Sequence, residues 1–97
     1  MELPISITRS GMERVSQRAL TKNISSGGVL FTSDHAPDVG GSLEYVITLS
    51  SQREQPVNLR CIGKVVRYER LNSEDNGDSG FAVAVTLERY EFVRAES

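Results

Sequence analysis

The sequence is poor in the residue types that catalysis and metal binding most often use. Its 97 residues include no tryptophan, one cysteine (Cys61) and one histidine (His35). A single cysteine excludes both an internal disulfide and a cysteine cluster for zinc, and it favours a reducing compartment with a buried thiol. His35 stands among Asp34, Pro37 and Asp38 in a segment typical of solvated loops, so we expect neither a metal site nor a catalytic base there.

Long apolar runs and an excess of basic residues are also missing. No stretch approaches the roughly 20 apolar residues that a membrane-spanning helix needs, and the first residues lack the pattern of a signal peptide. We therefore expect a cytoplasmic protein without membrane insertion. The net charge of −2 argues against binding to DNA or RNA. Residues 1–30 nevertheless carry a surplus of basic side chains, which could attract a small anion.

The hydrophobic pattern that is present has a period of two, which is typical of half-buried strands. Six strands are predicted, most from this alternation and one from a short apolar run at 29–31. They are 3–8, 13–24, 29–31, 43–49, 57–65 and 81–87. Short connections and the lack of a long helix predict one antiparallel barrel or sandwich over residues 1–97. Polar turns are predicted at 50–56 and 72–80, and a short C-terminal helix at Leu87 to Ala95.

Two glycine sites are predicted to shape the strands. Gly27 and Gly28 separate a polar strand from an apolar one, and we expect them to supply the positive φ of a tight hairpin. Gly63 interrupts the fifth segment, where it is expected to mark a bulge. Neither glycine site has the spacing of a phosphate-binding loop or a dinucleotide fingerprint. With no nucleophile or base constellation elsewhere, the sequence predicts a binding protein rather than an enzyme, and no cofactor.

One short motif remains, in "TKNISSGGVLF". Asn23, Ser25 and Gly28 have the spacing N-x-S-x-x-G between two predicted strands. This resembles the [D/N]-x-S-x-x-G signature of the PilZ domain, a bacterial receptor for the second messenger cyclic di-GMP. The strands "LPISI", "GGVLF", "GGSLEYVITL", "IGKVVRY" and "SGFAVAVTL" also resemble those of the family, in the same order. The resemblance implies a small six-stranded antiparallel β-barrel.

The resemblance also implies a ligand and residues that bind it. Asn23 and Ser25 would contact a guanine of cyclic di-GMP, and Gly28 would let it approach the backbone. Guanine offers acceptors on one edge and donors on another, which an amide and a hydroxyl can pair with. Two residues apart on a strand, Asn23 and Ser25 should share a face. Asn, Ser and Gly are also favoured turn residues, which is the alternative explanation of the motif.

The arginines of the family pattern do not fall where the resemblance places them. PilZ domains that bind the messenger usually carry R-x-x-x-R before the first barrel strand, whereas this sequence begins at Met1, so that segment is expected to be missing. Arg14 and Arg18 have the spacing but lie in the second predicted strand, about 13 Å apart on one face. Compared with the signature residues, the weaker candidates are those for phosphate contacts, namely Arg14, Arg18, Arg67 and Lys64.

Three explanations stay open: a trimmed fragment, a divergent member that does not bind the messenger, or substitution by Arg14 and Arg18. Loss of two charge-assisted phosphate contacts would cost about 3–6 kcal/mol, or roughly two to four decades of affinity.

Two alternative functions are therefore expected. The first is a cyclic di-GMP receptor domain whose ligand alters contact with a partner protein or neighbouring domain. The alternative is a protein-interaction module that has lost the ligand.

Overall fold

All the regular structure in the computed structural model consists of strands, and the residues it describes are 2–50, 57–72 and 79–94. The seven strands are β1 (Pro4–Ser10), β2 (Glu13–Ser25), β3 (Gly28–Ser33), β4 (Ser42–Ser50), β5 (Val57–Asn72), β6 (Ser79–Thr86) and β7 (Arg89–Arg94). The first six strands coincide with the six predicted segments, although β5 continues to Asn72, past its predicted end at Val65. The predicted turns at 50–56 and 72–80 lie outside the described residues except at their ends, where residues 50, 72, 79 and 80 belong to strands.

Six of these strands close into a barrel. Hydrogen-bonded neighbours follow the order β4-β1-β2-β3-β6-β5, and an additional β4–β5 pairing joins the two ends. Every pairing is antiparallel. The expected all-β, six-stranded antiparallel barrel is therefore confirmed. Closure pairs every barrel strand on both sides over at least part of its length, and the part of β5 that β6 does not reach is paired with β7.

The barrel interior is filled by the apolar residues of the alternating pattern. Tyr45, Ile47, Cys61 and Val83 are fully buried at its centre. The Tyr45 hydroxyl donates a hydrogen bond of 2.9 Å to the Thr86 carbonyl, which satisfies the one polar group of that side chain. The predicted burial of Cys61 is confirmed.

The seventh strand replaces the helix expected at Leu87 to Ala95, and that expectation was wrong. β7 pairs with the first half of β5 from Ile62↔Arg89 to Val57↔Arg94, while β6 pairs with the second half. β6 and β7 thus follow one another along the same edge of β5. Tyr90 and Phe92, two residues apart, are consistent with a strand, but an alternation of only two residues is too short to predict a strand from the sequence.

Gly63 lies where β5 passes from β4 and β7 to β6, and its role differs from the predicted one. The bulge in β5 occurs between Val65 and Arg67, not at Gly63. A Cβ on Gly63 would overlap the carbonyl oxygen of Thr86. This glycine is required because two backbones approach closely at the point where the sheet divides.

Candidate functional site

The signature residues lie at the β2–β3 hairpin. Asn23 and Ser25 occupy the end of β2, Ser26 and Gly27 form the turn, and Gly28 begins β3 opposite Ser25. The Ser25 hydroxyl donates a long hydrogen bond of 3.4 Å to the Gly28 carbonyl. The Asn23 amide makes no side-chain hydrogen bond with any residue in the described part of the chain. Its donor and acceptor are therefore available to a ligand.

A bulge decides which way these two side chains point. Thr21 is fully buried, so strict alternation would also turn Asn23 and Ser25 towards the barrel interior. The pairs Thr21↔Phe31 and Asn23↔Leu30 leave Lys22 as an extra residue in β2. Beyond it Ile24 is partly buried against the core, whereas Asn23 and Ser25 are exposed. The extra residue thus places both signature side chains on the outer surface.

The exposed signature residues line a shallow cavity of about 370 Å³. Its other walls come from the second half of β5 and the end of β6, which pair with each other beside β3. The lining residues are Asn23, Ser25, Gly27, Gly28, Val29, Leu30, Val66, Arg67, Ala84, Val85 and Thr86. A volume of this size is within the range of small-molecule sites.

Arg67 is the one cation in this lining. Its guanidinium lies 3.8 Å from the Glu69 carboxylate, and both side chains are about two-thirds exposed or more. Such a surface ion pair contributes little energy, so Arg67 can exchange it for a ligand at small cost. The structure therefore brings a guanidinium to the same cavity as the Asn23 amide and the Ser25 hydroxyl.

The hairpin glycines act differently from the prediction. Positive φ occurs at Gly11 and Gly40 among the described glycines, and not at Gly27 or Gly28. A Cβ on Gly28 would lie 2.7 Å from the Val85 carbonyl oxygen, so a side chain there would push β3 away from β6. Close packing of these two strands accounts for Gly28. Around Gly27 there is open space.

The other predicted arginines lie elsewhere. Arg14 lines a separate cavity with Arg9, Glu44 and Arg60. Arg18 is exposed on β2 opposite Ser6. Along the strand, Arg18 and Arg14 are roughly 15 Å and 30 Å from Asn23.

Lys64, another candidate for phosphate contact, lies on β5 opposite Ser42 and is not part of the signature cavity. The structure thus brings together Asn23, Ser25, Gly28 and Arg67, but does not bring Arg14 to them. The wall formed by Val66 and Ala84 was not predicted, because it depends on the pairing of distant strands.

The ionisable groups with raised pKa values, Tyr45 and Cys61, lie in the barrel core and do not line this cavity. The described residues contain no group of three or more histidine, cysteine or acidic side chains that could hold a metal ion. Burial raises the pKa of the Cys61 thiol to about 11, and it also raises the pKa of the Tyr45 hydroxyl. Both groups belong to the barrel core, so their shifts reflect packing and not a reactive site.

Comparison with known protein families gives a match over most of the chain. The family model of the PilZ domain matches residues 1–91. The chain belongs to the PilZ domain family. PilZ domains form a family of cyclic di-GMP receptors. Searches of curated proteins and of solved structures gave no significant match.

Within the described ranges of this PilZ domain, no helix has the length and apolar character to span a bilayer.

Proposed function

We propose that this PilZ domain binds cyclic di-GMP at the signature cavity and acts as a regulatory receptor. The observation that carries the proposal is the convergence of the Asn23 amide, the Ser25 hydroxyl and the Arg67 guanidinium on one exposed cavity. Asn23 and Ser25 pair with the edge of one guanine. Arg67 stacks on the base or bonds a phosphate oxygen, both of which suit a planar guanidinium.

The expected affinity of the 97-residue chain is low. One arginine lines the cavity, and Arg14 and Arg18 lie at a distance from it. The loss of two charge-assisted contacts would raise a micromolar dissociation constant by roughly two to four decades, into the sub-millimolar to millimolar range. Ligand concentrations up to about 1 mM are therefore needed to detect binding.

Titration with cyclic di-GMP, followed by calorimetry and by backbone amide shifts, tests the proposal. We expect the shifts to concentrate at Asn23 to Gly28 and around Arg67. Asn23→Ala, Ser25→Ala and Arg67→Ala should each weaken binding by about threefold to tenfold, because each removes one hydrogen-bonding partner. Arg70→Ala removes an exposed charge from the same strand outside the cavity and is the matched control. Absence of heat and of amide shifts up to about 1 mM would refute the proposal.

A gain-of-function variant provides a second test of the same contact. Asn23→Asp replaces an amide with a carboxylate that can accept both guanine donors, so binding should tighten by roughly threefold to tenfold. The expected order of affinity is Asn23→Asp, wild type, Asn23→Ala. Any other order would remove residue 23 from the guanine contact.

The second candidate function is a PilZ-type protein-interaction module that does not bind the nucleotide. The observation in its favour is the placement of Arg14 and Arg18 outside the signature cavity. The same titration separates the two functions, because this candidate predicts no amide shifts at the hairpin. In both cases the proposed mode of action is binding, without catalysis, in the cytoplasm.

A further inference from the structure

Arginines are concentrated on one part of the barrel's outer surface. This part is formed by outward-facing residues of β1, β2, β4, the first half of β5, and β7. We call the surface formed by the following residues the arginine face. It consists of Arg9 on β1, Arg14 and Arg18 on β2, Glu44 and Val46 on β4, Arg60 and Ile62 on β5, and Arg89, Glu91 and Val93 on β7. Five positive charges stand against two negative ones, in a chain whose net charge is −2.

Strand pairing arranges most of this face in two neighbouring rows, each crossing five strands. The first row runs Arg14–Arg9–Glu44–Ile62–Arg89, and the second runs Arg18–Ser6–Val46–Arg60–Glu91. Neighbouring strands are about 4.8 Å apart, so each row is roughly 19 Å long. The two rows cover an elongated surface and not a single point.

The two glutamates neutralise only part of this charge. Glu44 lies 3.2 Å from Arg60 and 4.0 Å from Arg9, and Glu91 lies 3.8 Å from Arg60. Within the described residues, neither Arg14 nor Arg18 nor Arg89 has an ion pair with a carboxylate. A surplus of three guanidinium groups therefore faces solvent.

One pairing within this face is unfavourable for folding. Arg9 and Arg14 are directly opposite each other in the β1–β2 ladder. Like charges in that position destabilise a sheet, and a neutral residue at either site would remove the repulsion. A local arrangement that opposes stability is typical of a surface selected for binding.

The shape of the face favours an extended partner. A groove of about 460 Å³ is lined by Arg9, Arg14 and Arg60, with Val46 and Val93 as apolar contacts. An adjoining cavity of about 290 Å³ shares Glu44 and Arg60 with it and continues to Arg89. A single phosphate cannot span the rows, whereas about six residues of extended peptide cover 19 Å.

We propose that the arginine face binds an acidic segment of a partner protein. Carboxylates of the segment would pair with Arg14, Arg18 and Arg89, and its apolar residues would contact Val46 and Val93. Arginine and apolar side chains are favoured in protein interfaces. A nucleic acid fits less well, because its phosphate backbone offers no aliphatic side chains to Val46 and Val93. This surface is separate from the signature cavity, and its function does not depend on cyclic di-GMP.

The proposal is tested without nucleotide, using a fluorescein-labelled oligo-glutamate peptide. Fluorescence anisotropy should show binding that weakens as salt rises, and amide shifts in the unsubstituted protein should map to the arginine face. The double variant Arg14→Gln/Arg18→Gln should bind about tenfold or more weakly, at roughly threefold to fivefold per exposed charge. The matched control is Lys22→Gln/Arg70→Gln, which removes the same charge from exposed positions outside both the arginine face and the signature cavity; its affinity should stay within about twofold of wild type.

Three outcomes would overturn the proposal. The first is no binding of oligo-glutamate, and the second is equal weakening in both double variants. In the third, duplex DNA or anionic lipid vesicles bind this face more tightly than the peptide, which would assign it to a partner of another class. The shift map uses the unsubstituted chain, so the test does not depend on the variants folding.

Discussion

At the scale of residues, two glycines of this barrel stand where the backbone leaves no room for a side chain. Gly63 and Gly28 both stand against backbone carbonyls of β6, and neither has positive φ. Gly27, their neighbour in the signature hairpin, has open space around its Cβ position. Glycines that look equivalent in the sequence are therefore required for different reasons, or not required at all.

Gly63→Ala should destabilise the fold by about 3 kcal/mol, because a Cβ there must push Thr86 out of the ladder. Gly27→Ala, the matched control, should change the free energy of unfolding by less than about 0.5 kcal/mol. Urea denaturation of both variants measures the difference. Equal stability of the two would show that β5 and β6 do not approach closely at Gly63.

Cys61 should make stability depend on pH in the alkaline range. Burial raises the pKa of its thiol from 9.0 to about 11, so the unfolded chain loses the proton first. The stability provided by the neutral thiol is complete below pH 9 and is lost as pH rises towards 11. Burial also raises the pKa of the Tyr45 hydroxyl, but its effect on stability begins only near its ordinary pKa of 10.0.

Urea denaturation between pH 8.5 and 10, values chosen around the ordinary thiol pKa, isolates the contribution of Cys61. We expect the free energy of unfolding of the wild type to fall over this range, and the Cys61→Ala variant to show a flatter profile. Identical slopes in the two proteins would contradict a raised thiol pKa.

At the scale of the elements, β7 is the strand that the sequence pattern did not predict. It extends the sheet beyond the closed ring by pairing with β5, and Tyr90 and Phe92 remain more than half exposed on it. Their rings are in edge-to-face contact, with centroids 6.1 Å apart. A short segment with two alternating aromatics becomes a strand here because β5 offers it a free edge.

Hydrogen exchange distinguishes this strand from a helix. In an antiparallel pair with one partner, alternate amides are bonded, so protection along Arg89–Arg94 should alternate between slow and fast. Consecutive protected amides would indicate a helix instead. The measurement is an exchange experiment on assigned amides, with the central strand β1, which pairs on both edges, as the internal control.

At the scale of the whole molecule, charge is distributed unevenly around the barrel. The arginine face carries a surplus of three positive charges in a chain of net charge −2. The signature cavity lies on the surface of β2, β3, β5 and β6, and the arginine face on that of β1, β2, β4, β5 and β7. One small barrel thus presents two surfaces suited to different ligands.

Arg14→Glu should stabilise the fold by up to about 1 kcal/mol at low salt, because it places a carboxylate opposite Arg9. Arg18→Glu, opposite the uncharged Ser6, is the matched control and should gain less. Both variants should lose oligo-glutamate binding. Urea denaturation at low and high salt measures the first effect, and a gain of equal size at both positions would exclude the Arg9–Arg14 repulsion.

The sequence alone determined the fold class and the location of the signature. Alternation of apolar residues with period two predicted the six barrel strands, and the spacing of Asn23, Ser25 and Gly28 predicted that they meet at one hairpin. These features are local, since each depends on residues close together in the chain.

Tertiary structure decided which other residues share a surface with them. The extra residue Lys22 turns Asn23 and Ser25 outwards, and the pairing of β5 with β6 brings Arg67 to their cavity. The pairing of β1 with β2 and β4 groups Arg14 with Arg9 and Glu44 instead. Register and bulges arise from barrel closure and from packing between distant strands, so local sequence patterns do not contain them.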